Sequence, residues 1–289
     1  TATVIPRPAK GDERDESTTV LPCTEKSATR SGKKPCPHPL CDSLQFVAKD
    51  YRQYGGEVTV GYVDEECEPH VSYLEQLIDW EKAAPHPKTT AILAYLGKGK
   101  VIKDLVSKNI LPVNADGKLV KIKGEAPTAP IWAALTGTSL PAVVRWRVET
   151  PGQPDSSTWE DRTLIANWAE YYPKSIESTG MCMVLGEQKA ALTILHPAKL
   201  RDAGDKAKLI STNDSSGFTF RGRFTDTEGK QACGVGYEAT QRAHSALRCL
   251  IARQGYRNGN QVFVSCAVSV KDIPQPFDDS ANWEDEDIV

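Results

Sequence analysis

The sequence predicts an α+β fold with mixed or antiparallel sheets, packed helices and an irregular, extended N-terminal arm. Three observations predict it. AVVRWRVE at 142–149 and QVFVSCAVSVK at 261–271 read as strands with one buried face. Segments 158–172 and 240–254 repeat apolar residues at helical spacing. Residues 1–35 do neither, because Pro6, Pro8, Gly11 and the charged run Asp12 to Glu16 cannot build a packed face.

Taken in order, the arm ends in KSATRSGKKP, where Lys26, Arg30, Lys33 and Lys34 stand among Ser and Gly. This is either a solvated linker or an arm that grips phosphates and orders on binding. The chain becomes globular at Leu40, with Leu44, Phe46 and Val47 ahead of a turn at Gly55-Gly56. Val58, Val60 and Tyr62 alternate as a strand. Ser72 with Glu75 forms a capping box for a helix carrying Leu74, Leu77, Ile78 and Ala84. A second helix, 89–96, ends at Gly97, and a third, 102–109, stops before Pro112. Lys98, Lys100 and Lys103 cluster between them and read as surface solubility. A turn at 114–117 leads into a strand at 118–123. Residues 127–141 are a loop.

In the 142–149 strand, Arg145 and Arg147 share one face, and Val144, Trp146 and Val148 the other. The helix at 158–172 turns Leu164, Ile165, Trp168 and Tyr172 inward. Short strands are expected at 181–185 and 190–195 around a turn at 186–188. His196 then reads as a hydrogen-bonded turn residue. The helix at 240–254 carries Ala243, Ala246, Leu247, Leu250 and Ile251 on one stripe, with Arg242 and Arg253 beside it and Gly255 at its end. The expected organisation is an arm at 1–35, an α+β region at 36–178, a basic strand–loop–helix–strand module at 179–277 and an acidic tail at 278–289.

The totals bound the function. The chain has 289 residues, 39% hydrophobic and 25% charged, as soluble globular proteins do. A net charge of −3 argues against nucleic-acid binding over the whole surface. It conceals an asymmetry: Lys and Arg well outnumber Asp and Glu between 189 and 271, while 273–289 hold six acidic residues and no basic one. No apolar run spans a membrane, and the N-terminus lacks both a signal-peptide core and an initiator Met, which fits a fragment. Eight cysteines without a C-x-x-C pair are too sparse for a disulfide framework and are expected to be reduced thiols. Cys36, His38, Cys41 and His70 make zinc thinkable, but a second tight ligand pair is missing, so no metal is expected.

One stretch stands out chemically. A strand-like run, 206–212, feeds a loop carrying Asn213, Ser215, Ser216, Gly217, Arg221 and Arg223, with Phe218, Phe220 and Phe224 between them. Arg forks phosphate oxygens, small residues admit a backbone, and aromatics offer stacking faces. The same residues also suit a hairpin with core Phe and solvated Arg.

The phrases AKLISTNDSSGFTFRGRF, QACGVGYEATQRAHSALRCLIARQGYRNG, MCMVLGEQKAALTILHPAKLR, LCDSLQFV, AYLGKGKVIKDLVSKNIL and ALTGTSLPAVVRWRVETPG resemble the large subunit of type I-C CRISPR surveillance (Cascade) complexes. The resemblance runs from about Thr18 to Phe277. Family members are about twice as long, so the chain looks like an N-terminal and internal portion. The resemblance implies a cytoplasmic, non-catalytic subunit that reads the short motif flanking the target and helps open the DNA. It also implies contact with the 5′ handle of the CRISPR RNA. The partners implied are CRISPR RNA, target double-stranded DNA, the backbone and handle-binding subunits, and a recruited helicase–nuclease. The candidate contacts are Lys26, Arg30, Lys33, Lys34, Asn213, Ser215, Ser216, Gly217, Arg221, Arg223 and Arg242.

The residues themselves offer no catalytic constellation and call for no cofactor. Walker A, H-E-x-x-H, G-x-S-x-G and G-x-G-x-x-G motifs are absent, and the acids are not grouped for two-metal chemistry. The rivals are a stand-alone nucleic-acid-processing enzyme and a scaffold without nucleic-acid readout.

Overall fold

The computed structural model describes residues 2–7, 19, 21–28, 30, 34–62, 68–139, 141–152, 156–202, 205–212 and 234–265. The chain divides into two compact units, 1–175 and 176–289. Helices and small antiparallel sheets make it an α+β protein, as expected. No helix among the described residues is long and apolar enough to cross a membrane.

The first unit opens with a short helix, α1 (Glu25–Ala28). Strand β1 (Asp42–Ser43) runs straight into helix α2 (Leu44–Val47), whose Leu44, Phe46 and Val47 are buried. Helix α3 (Pro69–Ala83) begins three residues before the expected Ser72. Pro69 occupies its first position, where the missing N–H is no loss and φ is already helical. Its buried stripe is His70, Tyr73, Leu77 and Trp80, steps of three and four residues.

Helix α4 (Pro87–Leu96) is capped by the imidazole of His86, which accepts from the Lys88 N–H, and stops at Gly97 as the sequence predicts. Helix α5 (Val101–Ser107) gets its cap from elsewhere. The buried Asp50 carboxylate accepts the N–H groups of Ile102 at 3.1 Å and Lys103 at 3.0 Å. Short 3-10 turns at Lys123–Glu125 and Pro130–Ala133 follow. Strand β2 (Val143–Val144) pairs antiparallel with β1, setting Asp42 opposite Val144. Beyond β2, Arg147 forms a separate antiparallel bridge with Ser157.

Helix α6 (Arg162–Lys174) buries Leu164 and Trp168, while Ile165 stays 39% exposed. Its rings complete the core. Trp168 meets Trp80 edge-on at 4.8 Å and stacks on Tyr172 at 5.0 Å. Lys88 locks this arrangement. Its buried ammonium lies 2.8 Å from Asp161 and donates to the Ser157 carbonyl at 3.2 Å. Asp161 also caps α6 by accepting from the Thr163 and Leu164 N–H groups. Burial opposes its charge, yet Lys88, the Thr163 hydroxyl and the helix N–H groups hold it well below the usual carboxylate range.

The expected strand at 58–62 is absent. A strand needs a partner ladder, and here Thr59 is tied instead to the Gln45 side chain, with Val60 98% exposed. Residues 118–123 form only isolated bridges, Val113 to Leu119 and Ile122 to Thr138.

In the second unit, strand β3 (Thr179–Gly180) pairs antiparallel with β4 (Ala190–Ala191). The expected strand at 181–185 is a turn, with Met181, Met183, Val184 and Leu185 exposed. The buried Cys182 thiol anchors that turn and accepts the Gly236 N–H at 3.2 Å. A side chain at Gly234 would strike the Met181 carbonyl, so glycine is required there by close approach. Helix α7 (Tyr237–Gln254) buries Tyr237, Ala239, Thr240 and His244 near its start. The predicted stripe from Ala243 to Ile251 stays half-buried or exposed. Strands β5 (Tyr256–Asn258) and β6 (Gln261–Phe263) close a hairpin around Gly259. The run at 206–212 forms no strand.

His196 holds this unit together. It is buried between the hydroxyls of Thr240, 3.0 Å away, and Thr212, 2.9 Å away. The Thr212 hydroxyl donates to the Ile194 carbonyl, so Nε2–H donates to Thr212 and Nδ1 accepts from Thr240. The neutral ring fits this network, and burial, with Lys208 nearby, draws it down to about 4.

Candidate nucleic-acid interface

The candidate residues on the arm separate by role. Lys26 is exposed on α1, and Lys34 is exposed beyond it. Arg30 is committed to the fold. Its guanidinium pairs with the buried Asp42, donates to the Cys36 carbonyl at 2.9 Å and lies 4.8 Å over the Phe46 ring. Burial raises the Asp42 carboxyl, and Arg30 works against that rise. Lys33, Asn213, Ser215, Ser216, Gly217, Arg221 and Arg223 lie outside the described residues. Arg242 is exposed on α7 and pairs with Glu238 one turn earlier. Two further arginines are occupied within the fold. Arg201 forks Asp205 and donates to the Asn260 carbonyl, and Arg257 donates to the Arg201 carbonyl.

The zinc candidates serve other ends. The Cys41 thiol is buried and pushed up to about 11, chiefly by desolvation. His70 donates through Nδ1 to the Phe46 carbonyl at 3.0 Å. Among the described residues no group of three or more His, Cys, Asp and Glu is placed to hold a metal ion.

The first unit assembles a basic corner that the sequence shows only in part. The turn between α4 and α5 carries Lys98 and Lys100, and Lys103 follows in the first turn of α5. The fold adds Lys49 from a distant segment, its stem lying against Gly99. Gly99 takes φ +60 there, a conformation that favours glycine. Lys49, Lys98 and Lys103 are exposed. Lys98 reaches over the Tyr95 ring at 5.9 Å, and Lys100 lies 3.7 Å from Asp104. Two carboxylates adjoin the corner: the buried Asp50, which caps α5, and Asp104, which pairs with Lys100. Ammonium groups gathered in this way are of the kind that can meet phosphates without reading sequence. The K-G-K-x-x-K spacing is visible in the sequence, whereas the arrival of Lys49 depends on the Asp50 cap.

These elements define an α+β protein of two compact units, with a lysine corner on the first. The chain matches the family described as CRISPR-associated protein (Cas_Csd1) over residues 2–287. It belongs to that family, in agreement with its resemblance to the large subunit of Cascade-type complexes. No curated protein matches it.

Proposed function

We propose that the chain is a non-catalytic DNA-recognition subunit of an RNA-guided type I-C surveillance complex. It reads the short motif flanking the target, touches the 5′ handle of the CRISPR RNA, supports duplex opening and helps recruit the helicase–nuclease. Guide pairing carries most of the sequence information, as in other RNA-guided systems. Membership of the CRISPR-associated family along residues 2–287 carries this reading. The corner of Lys49, Lys98, Lys100 and Lys103 supports it by offering phosphate contacts. A scaffold role has one observation in its favour: Arg30 and Arg201 are occupied within the chain.

The test is binding of the assembled complex to duplexes with correct and scrambled flanking motifs. Loss of discrimination when this subunit is omitted is expected. Equal binding to both duplexes by the intact complex would leave the scaffold reading. Motif-dependent cleavage by the pure chain with magnesium would establish an enzyme instead.

A further inference from the structure

We infer that the cleft between the C-terminal end of α3 and the C-terminal half of α6 receives an arginine side chain from a basic segment of another protein. The inference rests on the proposed role as one subunit of a larger complex. Helical spacing builds the cleft. Asp79 and Ala83 stand one turn apart on α3, and Asn167, Glu170, Tyr171 and Lys174 hold positions i, i+3, i+4 and i+7 on one face of α6. Ala83 is too short to fill the space between these rows, and an open cleft of about 370 Å³ remains. Its floor is fixed. The buried Trp80 donates its indole N–H to Asn167 Oδ1 at 2.7 Å, and the Tyr171 ring lies nearly parallel to that indole, 6.5 Å from centre to centre.

The cleft holds a carboxylate that has no cation. Glu170 and Lys174 pair at 2.8 Å and offset each other. Asp79 is exposed and has neither an ion pair nor a hydrogen bond among the described residues; Lys82, three residues on, does not pair with it. The Tyr171 hydroxyl likewise has no hydrogen-bond partner among the described residues. Burial, with Asp79 close by, raises its pKa, so it stays a neutral phenol. A carboxylate, a hydroxyl oxygen and an aromatic ring together complement a guanidinium, which donates in its plane and stacks with its face. The same carboxylate repels phosphates, so a nucleic-acid backbone does not fit. A free small cation fits poorly too. Sites for small molecules enclose about 70–90% of their guest, and this cleft is open on one side. An arginine carried by a protein brings the surrounding contact surface with it, which supplies the exclusion of water that the cleft alone lacks.

The experiment uses the full chain in the assembled complex, with a photo-crosslinking benzoylphenylalanine in place of Ala83, and identifies the crosslinked peptides by mass spectrometry. The expected product joins position 83 to a peptide of another protein with an arginine beside the attachment point. In parallel, labelled chain is titrated into the remaining purified subunits. Asp79→Asn should weaken association about fivefold, the upper end for an exposed ion pair. Asp79→Arg should weaken it further, and Asp79→Glu should restore most of it. Melting of the free chain should stay unchanged in all three, because Asp79 makes no bond within the described residues. Glu125→Gln, at an exposed acid outside the cleft, should associate as wild type. A crosslink to nucleic acid, to a second copy of this chain or to a peptide without arginine overturns the inference, as does the absence of any crosslink. Wild-type affinity in both Asp79→Asn and Asp79→Arg overturns it as well. A complex that fails these tests yet discriminates flanking motifs keeps the proposed function and loses only this contact, whereas a wild-type chain that joins no complex overturns both.

Discussion

Replacing Lys88 with methionine should destabilise the first unit by about 3 kcal/mol. Methionine keeps much of the buried stem and removes the charge. The ammonium side chain is 4% exposed and its partner Asp161 14% exposed. Deleting one member of a buried pair costs roughly 3–5 kcal/mol, because the remaining charge is stranded. Asp161 is not wholly buried and keeps its bonds from Thr163 and Leu164, which places the loss near the lower end. In a domain of this size about 3 kcal/mol corresponds to a fall of roughly 6–12 °C in Tm. Thermal unfolding followed by tryptophan fluorescence reads it. The acid dependence has a definite sign. A depressed carboxyl stabilises above its unfolded value, about 3.9, and loses that contribution as pH falls through its lower folded value. The gap between wild type and Lys88→Met should therefore narrow below about pH 4. Adding Asp161→Asn should recover much of the loss at neutral pH. A Tm for Lys88→Met within about 2 °C of wild type would refute the reasoning, since even 1 kcal/mol moves it that far.

Arg30→Ala should also cost about 3 kcal/mol by stranding Asp42, whereas Lys34→Ala should leave melting unchanged; equal melting of the two variants would show that Arg30 is not a structural anchor. Changing Lys98, Lys100 and Lys103 together to Ala should shallow the salt slope of duplex binding by roughly 0.9 for each phosphate no longer neutralised. Melting should hold, and an unchanged slope would remove the corner from the interface. The second unit should weaken as pH drops from about 6.5 toward 4, because the unfolded chain protonates His196 first. The loss is at most roughly 1.4 kcal/mol per pH unit. His196→Gln should flatten this limb in denaturant titrations at pH 7 and 5; an unaltered limb would assign it to another group.

Local signals make part of this fold legible. Helix α4 follows from apolar spacing and a glycine stop, and the helical stripe of α6 places Trp168 in the core. The misplacements have physical causes. The capping box at Ser72 competes with Pro69, and the proline sets the start of the helix. Val58 to Tyr62 has strand alternation but no pairing strand among the described residues. MCMVL at 181–185 turns because Cys182 is held by a backbone N–H from Gly236, far along the chain. The candidate interface is legible as residue types and not as positions. A run of basic residues cannot reveal that Arg30 is consumed by Asp42 or that Lys49 joins Lys98. Both facts depend on contacts between segments remote in sequence.

The ring cluster of Trp80, Trp168, Tyr171 and Tyr172 has an optical consequence. Five of the six tryptophans, Trp80, Trp132, Trp146, Trp159 and Trp168, belong to residues 1–175, and the sixth is Trp283. Trp80 and Trp168 meet at 4.8 Å, and Trp168 lies nearly parallel to Tyr172. Rings this close couple their electronic transitions, so their near-ultraviolet circular dichroism should carry a signed couplet instead of isolated bands. That couplet belongs to the first unit alone. It is a built-in spectroscopic label that reports the first unit's melting while backbone ellipticity follows the whole chain.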